Sequence, residues 1–306
     1  MKKIIISSLD ERILFSTNIS GVYDIMTSIY PGRIIPEYKV FEVCKDDISK
    51  VSSYIEYLYG KPREIVKFPQ ITAYVKDYSL AETSFLVLQQ LERLWEEKNL
   101  YCVEASAVSK NDRGILIIGR ERSGKTRLAL ELYKEGFDFI SNENTVINPL
   151  NNTIVGGSKV INIKPFYFNE IDKEFKRIAI EQKTDDINYK TYLIDLRKGK
   201  RVKTTSKISL IIEPFIYPYN VTRGLVSELQ EFYVRNHLIN LPTFLMRGTY
   251  VCLNKFGMFG KSIDTEKLAK KRCDMLFYKF DATIPKFSII GDIKYVKNKV
   301  IELFEK

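Results

Sequence analysis

Short apolar runs separated by polar and turn-forming residues fill the first 79 positions: KIIIS, RILFS, YKVFEV and ITAYV, with Pro31-Gly32 and Pro36 between the second and third. Runs of this length and punctuation predict strands, with one helix expected near Ile48 to Tyr59. From Ser79 to Asn99 the period changes. Leu80, Phe85, Leu88, Leu91, Leu94 and Trp95 recur at helical spacing, predicting an amphipathic helix with its glutamates and lysine on the outer face. Tyr101 to Ser109 alternates as a strand does. Asn111-Asp112-Arg113-Gly114 is a hairpin turn signal, and the apolar run from Gly114 to Gly119 predicts a buried strand. A helix is expected over Thr126 to Glu135, ended by Gly136. The strand from Phe137 to Ile140 then delivers Ser141-Asn142-Glu143-Asn144 at its end.

Beyond these, Thr145 to Leu196 reads as mixed and strand-rich, with turns at Asn151-Asn152 and Gly156-Gly157. KISLIIE, from Lys207 to Glu213, predicts a buried strand. Helices are expected over Thr222 to Leu245 and Thr265 to Leu276, and a final strand and helix within 285–305. There is no internal repeat. The pattern divides into a strand-rich N-terminal region, 1–79, and an α/β mixed-sheet core, 80–306.

Between the strand ending near Gly119 and the helix beginning at Thr126 lies Gly119-Arg120-Glu121-Arg122-Ser123-Gly124-Lys125-Thr126, which has the spacing of a P-loop. Glycines there permit a tight turn whose amide N–H groups converge on phosphate oxygens, assisted by the helix N-terminus. Lys125 is expected on the β- and γ-phosphates and the Thr126 hydroxyl on magnesium, so ATP or another nucleoside triphosphate with Mg2+ is the expected ligand. Magnesium binding and proton transfer also need an acid. Glu143 closes the strand after the P-loop helix, and Glu213 ends an apolar strand in the manner of a Walker B acid.

Composition narrows the remaining classes. At 306 residues and 45% apolar content the chain has ample material for a core. Its formal charge of +10 favours acidic partners, yet the basic runs Arg197 to Lys203 and Lys267 to Arg272 are short and read as solvated surface. Nucleic acid is disfavoured, since no basic stripe is interleaved with aromatic residues. Cys44, Cys102, Cys252 and Cys273 lie too far apart for a zinc or disulfide signature, and His237, the only histidine, reads as structural. MKKIIISSLDERILF is too briefly apolar for a signal peptide, and no stretch approaches the roughly 18 apolar residues of a membrane span. A cytoplasmic protein that does not engage membrane is expected.

VEASAVS, GILIIGRERSGKTRLALELYKEG and FDFISNEN, in that order within residues 84–148, resemble the P-loop core of the HPr kinase/phosphorylase family. The resemblance implies a fold related to PEP carboxykinase, and phosphoryl transfer from ATP to a serine of a protein or peptide, a precursor peptide among the candidates. Where that family has Asp-Asp this chain has Asn142-Glu143, and where it has His-Gly this chain has Glu104-Ala105. Glu143 or Glu104 is therefore expected as catalytic base beside Lys125, with Thr126 and Glu143 on the metal, and the phosphorylase half-reaction is disfavoured. Arg120 or Arg122 could neutralise phosphate, and Arg223 and Arg235 are candidates for the acceptor side. A nucleotide-binding pseudokinase and a small-molecule kinase remain as alternatives, and a homo-oligomer is left open.

Overall fold

Apolar residues face one another at the N-terminus, Ile4 opposite Phe15, Ile5 opposite Leu14 and Ile6 opposite Ile13. In the computed structural model, which describes residues 1–306 except 170, 172, 184–189, 218–223 and 256, β1 (Lys2–Ser8) lies antiparallel to β2 (Glu11–Thr17), with Ile4, Ile6, Ile13 and Phe15 fully buried. After α1 (Ser20–Thr27), β3 (Lys39–Glu42) covers the outer edge of β1. The helix expected over 48–59 is instead a short 3-10 turn followed by β4 (Ser53–Tyr59). Ser53, Ile55 and Tyr57 are buried while Tyr54, Glu56 and Leu58 are not, a period of two that the two-sided tyrosines disguise. With β5 (Arg63–Lys67) and β6 (Gln70–Val75) a six-stranded sheet forms, in the order β3-β1-β2-β4-β6-β5.

The helix α2 (Glu82–Glu97) follows. Its polar residues do not form a solvated face, because Glu82, Gln89, Gln90, Glu92 and Glu96 are all buried. Burial of such groups requires partners. Tyr57 donates to Glu82 at 3.2 Å, and Gln90 donates to the carbonyl of Pro69 at 2.9 Å.

Strand β7 (Tyr101–Glu104) and strand β8 (Ser106–Lys110) replace the single strand expected over 101–109, breaking at Ala105 because they serve different neighbours. A two-residue turn with Asn111 at φ 54° and Asp112 at φ 59° joins β8 to β9 (Arg113–Ile117), as the asparagine and aspartate there predict. Next come α3 (Lys125–Lys134), β10 (Asp138–Ser141), β11 (Asn144–Asn148) and β12 (Thr153–Gly157). Gly156 and Gly157 lie within β12 and not in a turn: a Cβ on Gly157 would fall 2.0 Å from that of Ser141, so the glycine marks close approach.

Further along, β13 (Val160–Ile163), α4 (Pro165–Phe168), α5 (Lys173–Ile178), β14 (Ala179–Lys183) and β15 (Lys190–Asp195) contribute a three-stranded sheet. Strand β16 (Ser206–Ile216) extends the run KISLIIE. β17 (Leu225–Glu228) is a strand where helix was expected, and only α6 (Glu231–Met246) is helical in that stretch. The chain finishes with β18 (Cys252–Leu253), β19 (Met258–Phe259), α7 (Glu266–Cys273), β20 (Lys286–Gly291) and α8 (Ile293–Glu305).

Two units result. One comprises Met1–Lys98, Ser158–Lys198 and Thr243–Leu268; the other comprises Asn99–Gly157, Gly199–Pro242 and Ala269–Lys306. The second unit holds the larger mixed sheet, in which β9, β16 and β20 run parallel and the remaining pairings are antiparallel. Leu116, Ile118, Ile211, Val234, Leu238 and Leu276 fill its core. Among the described residues no helix is long and apolar enough to cross a membrane.

Candidate functional site

The loop with P-loop spacing, 119–126, follows the C-terminal end of β9, where Ile118 still donates to the carbonyl of Ile212 on β16 at 2.9 Å. Gly119 then turns at φ 128°, and Gly124 opens α3 at φ 105°. Both backbones favour glycine, as does Arg122 at φ 67°, a left-handed conformation that an arginine adopts with strain. Close packing adds a second reason for glycine at 119. A Cβ there would meet Ser123 Oγ at 3.0 Å and Glu213 Cγ at 3.2 Å.

This end of α3 offers donors. Its first-turn amides precede the intrahelical ladder, and the N-cap, Gly124, has no side chain to cap them. Ser123 Oγ is buried without a partner among the described residues. A helix N-terminus with a glycine N-cap, an orphaned hydroxyl and the lysine that begins α3 form a donor set that fits a polyphosphate. Arg120, Glu121 and Arg122 are exposed around it.

Lys125 is buried, and its Nζ donates to the carbonyls of Gly119 at 2.5 Å and Arg120 at 3.1 Å. It also meets Glu104 Oε1 at 3.0 Å. Glu104 thus occupies the cation that a phosphate would claim. Thr126 Oγ1 donates to Asn142 Oδ1 at 2.6 Å, and the same oxygen accepts from Ser106 Oγ at 3.2 Å. With its proton so engaged, the Thr126 hydroxyl presents its lone pairs outward, as a magnesium ligand must.

Strand register brings the acids to the same sheet end. Asn144 pairs with Glu104 across the β11–β7 ladder, and Ala105 donates to the carbonyl of Glu143 at 2.9 Å. Glu143 itself stands at φ 63°, where β10 hands over to β11. Among the described residues no cluster of three His, Cys, Asp or Glu could hold a metal. The residues present suit magnesium held singly, which takes only one or two protein ligands beside phosphate and water.

Glu213 arrives from another direction. β16 runs parallel to β9, with Ile212 opposite Ile117, so the next residue stands against the first turn of the P-loop. Its buried carboxylate accepts a short hydrogen bond from Tyr233, whose hydroxyl is pushed up to about 12 by burial first and by Glu213 second. The hydrophobic run ending in an acid was the only signal for this residue in the sequence. Arg235 is turned to Glu231, one helical turn away, at 2.5 Å, and Arg223 lies outside the described residues.

His237 is closer to the chemistry than a structural residue need be. Nε2 lies 2.9 Å from the carbonyl oxygen of Glu104 and 3.4 Å from the amide nitrogen of Gly119. One ring nitrogen cannot donate to the first and accept from the second. The shorter contact fixes the Nε2–H tautomer, with His237 donating to Glu104. Burial pushes its pKa below the ordinary histidine value, and Lys125 adds to this while Glu104 and Glu213 oppose it.

A depressed folded-state pKa makes this histidine's contribution fully present above the unfolded value of about 6.5 and lost as pH falls below it. Thermal melts of His237→Asn and of the unaltered protein, between about pH 7.5 and pH 5.5, should therefore diverge. The unaltered protein is expected to lose more Tm. Parallel curves would show that the histidine titrates as it does in the unfolded chain.

No family model matches this chain, and no curated protein matches it. Among solved structures, the Hpr(Ser) kinase/phosphatase from Coxiella burnetii aligns with 67% of this chain and 93% of its own, at 14% identity and a TM-score of 0.29, too loose a likeness to carry an argument about the site.

Proposed function

We propose that the second unit is an ATP- and magnesium-dependent phosphotransferase that acts on a serine hydroxyl of a protein or peptide. The observation that carries this reading is the convergence of the loop's cation and hydroxyl, Lys125 and Thr126, with residues from β7, β8 and the β10–β11 junction: Glu104, Ser106, Asn142 and Glu143. A loop that only gripped phosphate would need the first pair and not the acids.

Lys125 leaves Glu104 and the loop carbonyls to neutralise the β- and γ-oxygens, while the α3 amides and Ser123 hold the phosphate chain in place. Thr126 and Glu143 are the residues of this chain that would hold magnesium, which would supply positive charge to offset that of the phosphates. Glu143 takes the serine proton as the new O–P bond forms and the bond from the γ-phosphorus to the bridging oxygen breaks. Asn142 orients Thr126 and takes no proton.

Label transfer from γ-labelled ATP to serine peptides tests this. Glu143→Gln is expected to lower kcat by about 100-fold or more with little change in ATP affinity. Asn142→Asp, which places a carboxylate at the Thr126 hydroxyl, is expected to raise it. Unchanged transfer in Glu143→Gln would remove Glu143 from the mechanism. ATP binding with no transfer to any hydroxyl would favour a nucleotide-binding scaffold, the reading that the buried amide of Asn142 in place of an acid supports.

A further inference from the structure

Beside the P-loop the second unit carries an open cleft of about 430 Å³. Arg120 of the loop and Glu213 of β16 form its inner wall, with Ser288 of β20, which stands opposite Glu213 in the parallel ladder. Phe215, Tyr233 and Glu228, from β16, α6 and the end of β17, also line it, with Leu229 and Gln230 between the last two. Arg120 belongs to both the loop and the cleft, so an occupant of the cleft lies next to the phosphate end of a nucleotide in the loop.

We propose that this cleft is the acceptor site and that it takes a serine on a basic peptide. The inference rests on the phosphotransferase reading above and names the substrate class. Charge is the first argument. Two carboxylates, Glu213 and Glu228, and one guanidinium, that of Arg120, line the cleft, and a phosphate in the loop neutralises that guanidinium. What remains is a locally acidic cleft on a chain of net charge +10, which selects a cationic segment.

The rim supplies the second argument. Phe215 is 36% exposed and, with Leu229, gives the lining apolar surface that a small polar metabolite would leave uncovered.

The test uses the full chain and two fluorescent peptides, each with one central serine, flanked by lysines in one and by glutamates in the other. Fluorescence anisotropy, with a non-hydrolysable ATP analogue and magnesium present, is expected to show the lysine peptide binding at least about tenfold more tightly. Glu228→Lys should remove that preference or reverse it, and Phe215→Ala should weaken both peptides by about tenfold. Both positions are exposed, so the fold survives either change.

Equal affinity for the two peptides, no binding of either, or a preference untouched by Glu228→Lys would overturn the assignment. So would tighter binding of free serine or an amino alcohol than of the lysine peptide, which would make the cleft a small-molecule site. ATP affinity, read in parallel, reports on the loop. ATP binding without peptide selectivity defeats only the acceptor assignment, whereas absence of ATP binding defeats the phosphotransferase reading itself.

Discussion

Replacing Lys125 with alanine is expected to lower the affinity for ATP with magnesium by about 100-fold and to take phosphoryl transfer below detection, with the fold retained. Nζ is buried among the carbonyls of Gly119 and Arg120 and the carboxylate of Glu104. Its replacement removes the only lysine in the loop and leaves the exposed Arg120 and Arg122 as the loop's other cations. A charge-assisted hydrogen bond contributes about 1.5–3 kcal/mol, and losing one or two to the β- and γ-oxygens gives the stated factor.

Stability should change much less, because the Glu104 side chain is 38% exposed and water replaces its partner. Calorimetric titration with ATP, beside thermal melts, separates the two effects. Lys125→Arg sharpens the test: a guanidinium has the charge but not the shape for the space between Gly119 O and Glu104 Oε1, so affinity should stay low. Affinity restored by arginine would mean that the loop requires charge alone.

Much of this site was legible in the sequence because its signals are local. An apolar strand, eight loop residues and an amphipathic helix follow one another without interruption, and the Asn111-Asp112 turn that aligns β8 with β9 is also a short-range feature. The acids following Phe137 to Ile140 could be read for the same reason. Legibility ended where chain-distant strands meet. KISLIIE announced a buried strand, but nothing in it says that β16 pairs in parallel with β9 and sets Glu213 against Gly119.

His237 lies 118 residues from Gly119, so its approach to the loop has no sequence signal at all. Helix periodicity misled at α2, where buried glutamates and glutamines find partners, and over 48–59, where tyrosines that serve both faces blur a period of two. Turn chemistry misled at Gly156-Gly157. A glycine pair marks a turn or a tight approach equally well, and only the position of Ser141 distinguishes them.

Gly124→Ala should be the most damaging single-methyl change in the loop, costing about 3 kcal/mol of stability in the second unit. Its φ of 105° lies where L side chains are strained, which accounts for about 1–2 kcal/mol of that. The remainder comes from overlap: the new Cβ would meet the Cδ1, Cγ1 and Cβ of Ile216 at 2.6, 2.8 and 2.9 Å. Ile216 cannot simply step aside, because its amide donates to the carbonyl of Ser123 at 3.1 Å and ties the end of β16 to the loop. The methyl therefore pushes the N-terminus of α3 off the phosphate position, and ATP affinity should fall by about tenfold or more as its amides lose their aim.

Ile216→Ala isolates the two causes. On a Gly124→Ala background it removes the two closest atoms, Cδ1 and Cγ1, but leaves the Cβ at 2.9 Å and the backbone strain, so the double variant should be more stable than the sum of the single effects predicts, by about 1 kcal/mol. Denaturant unfolding of the four proteins supplies that coupling. Strict additivity would mean that the glycine is required for its φ alone, and that the contact between the loop and the end of β16 does not hold the helix in register.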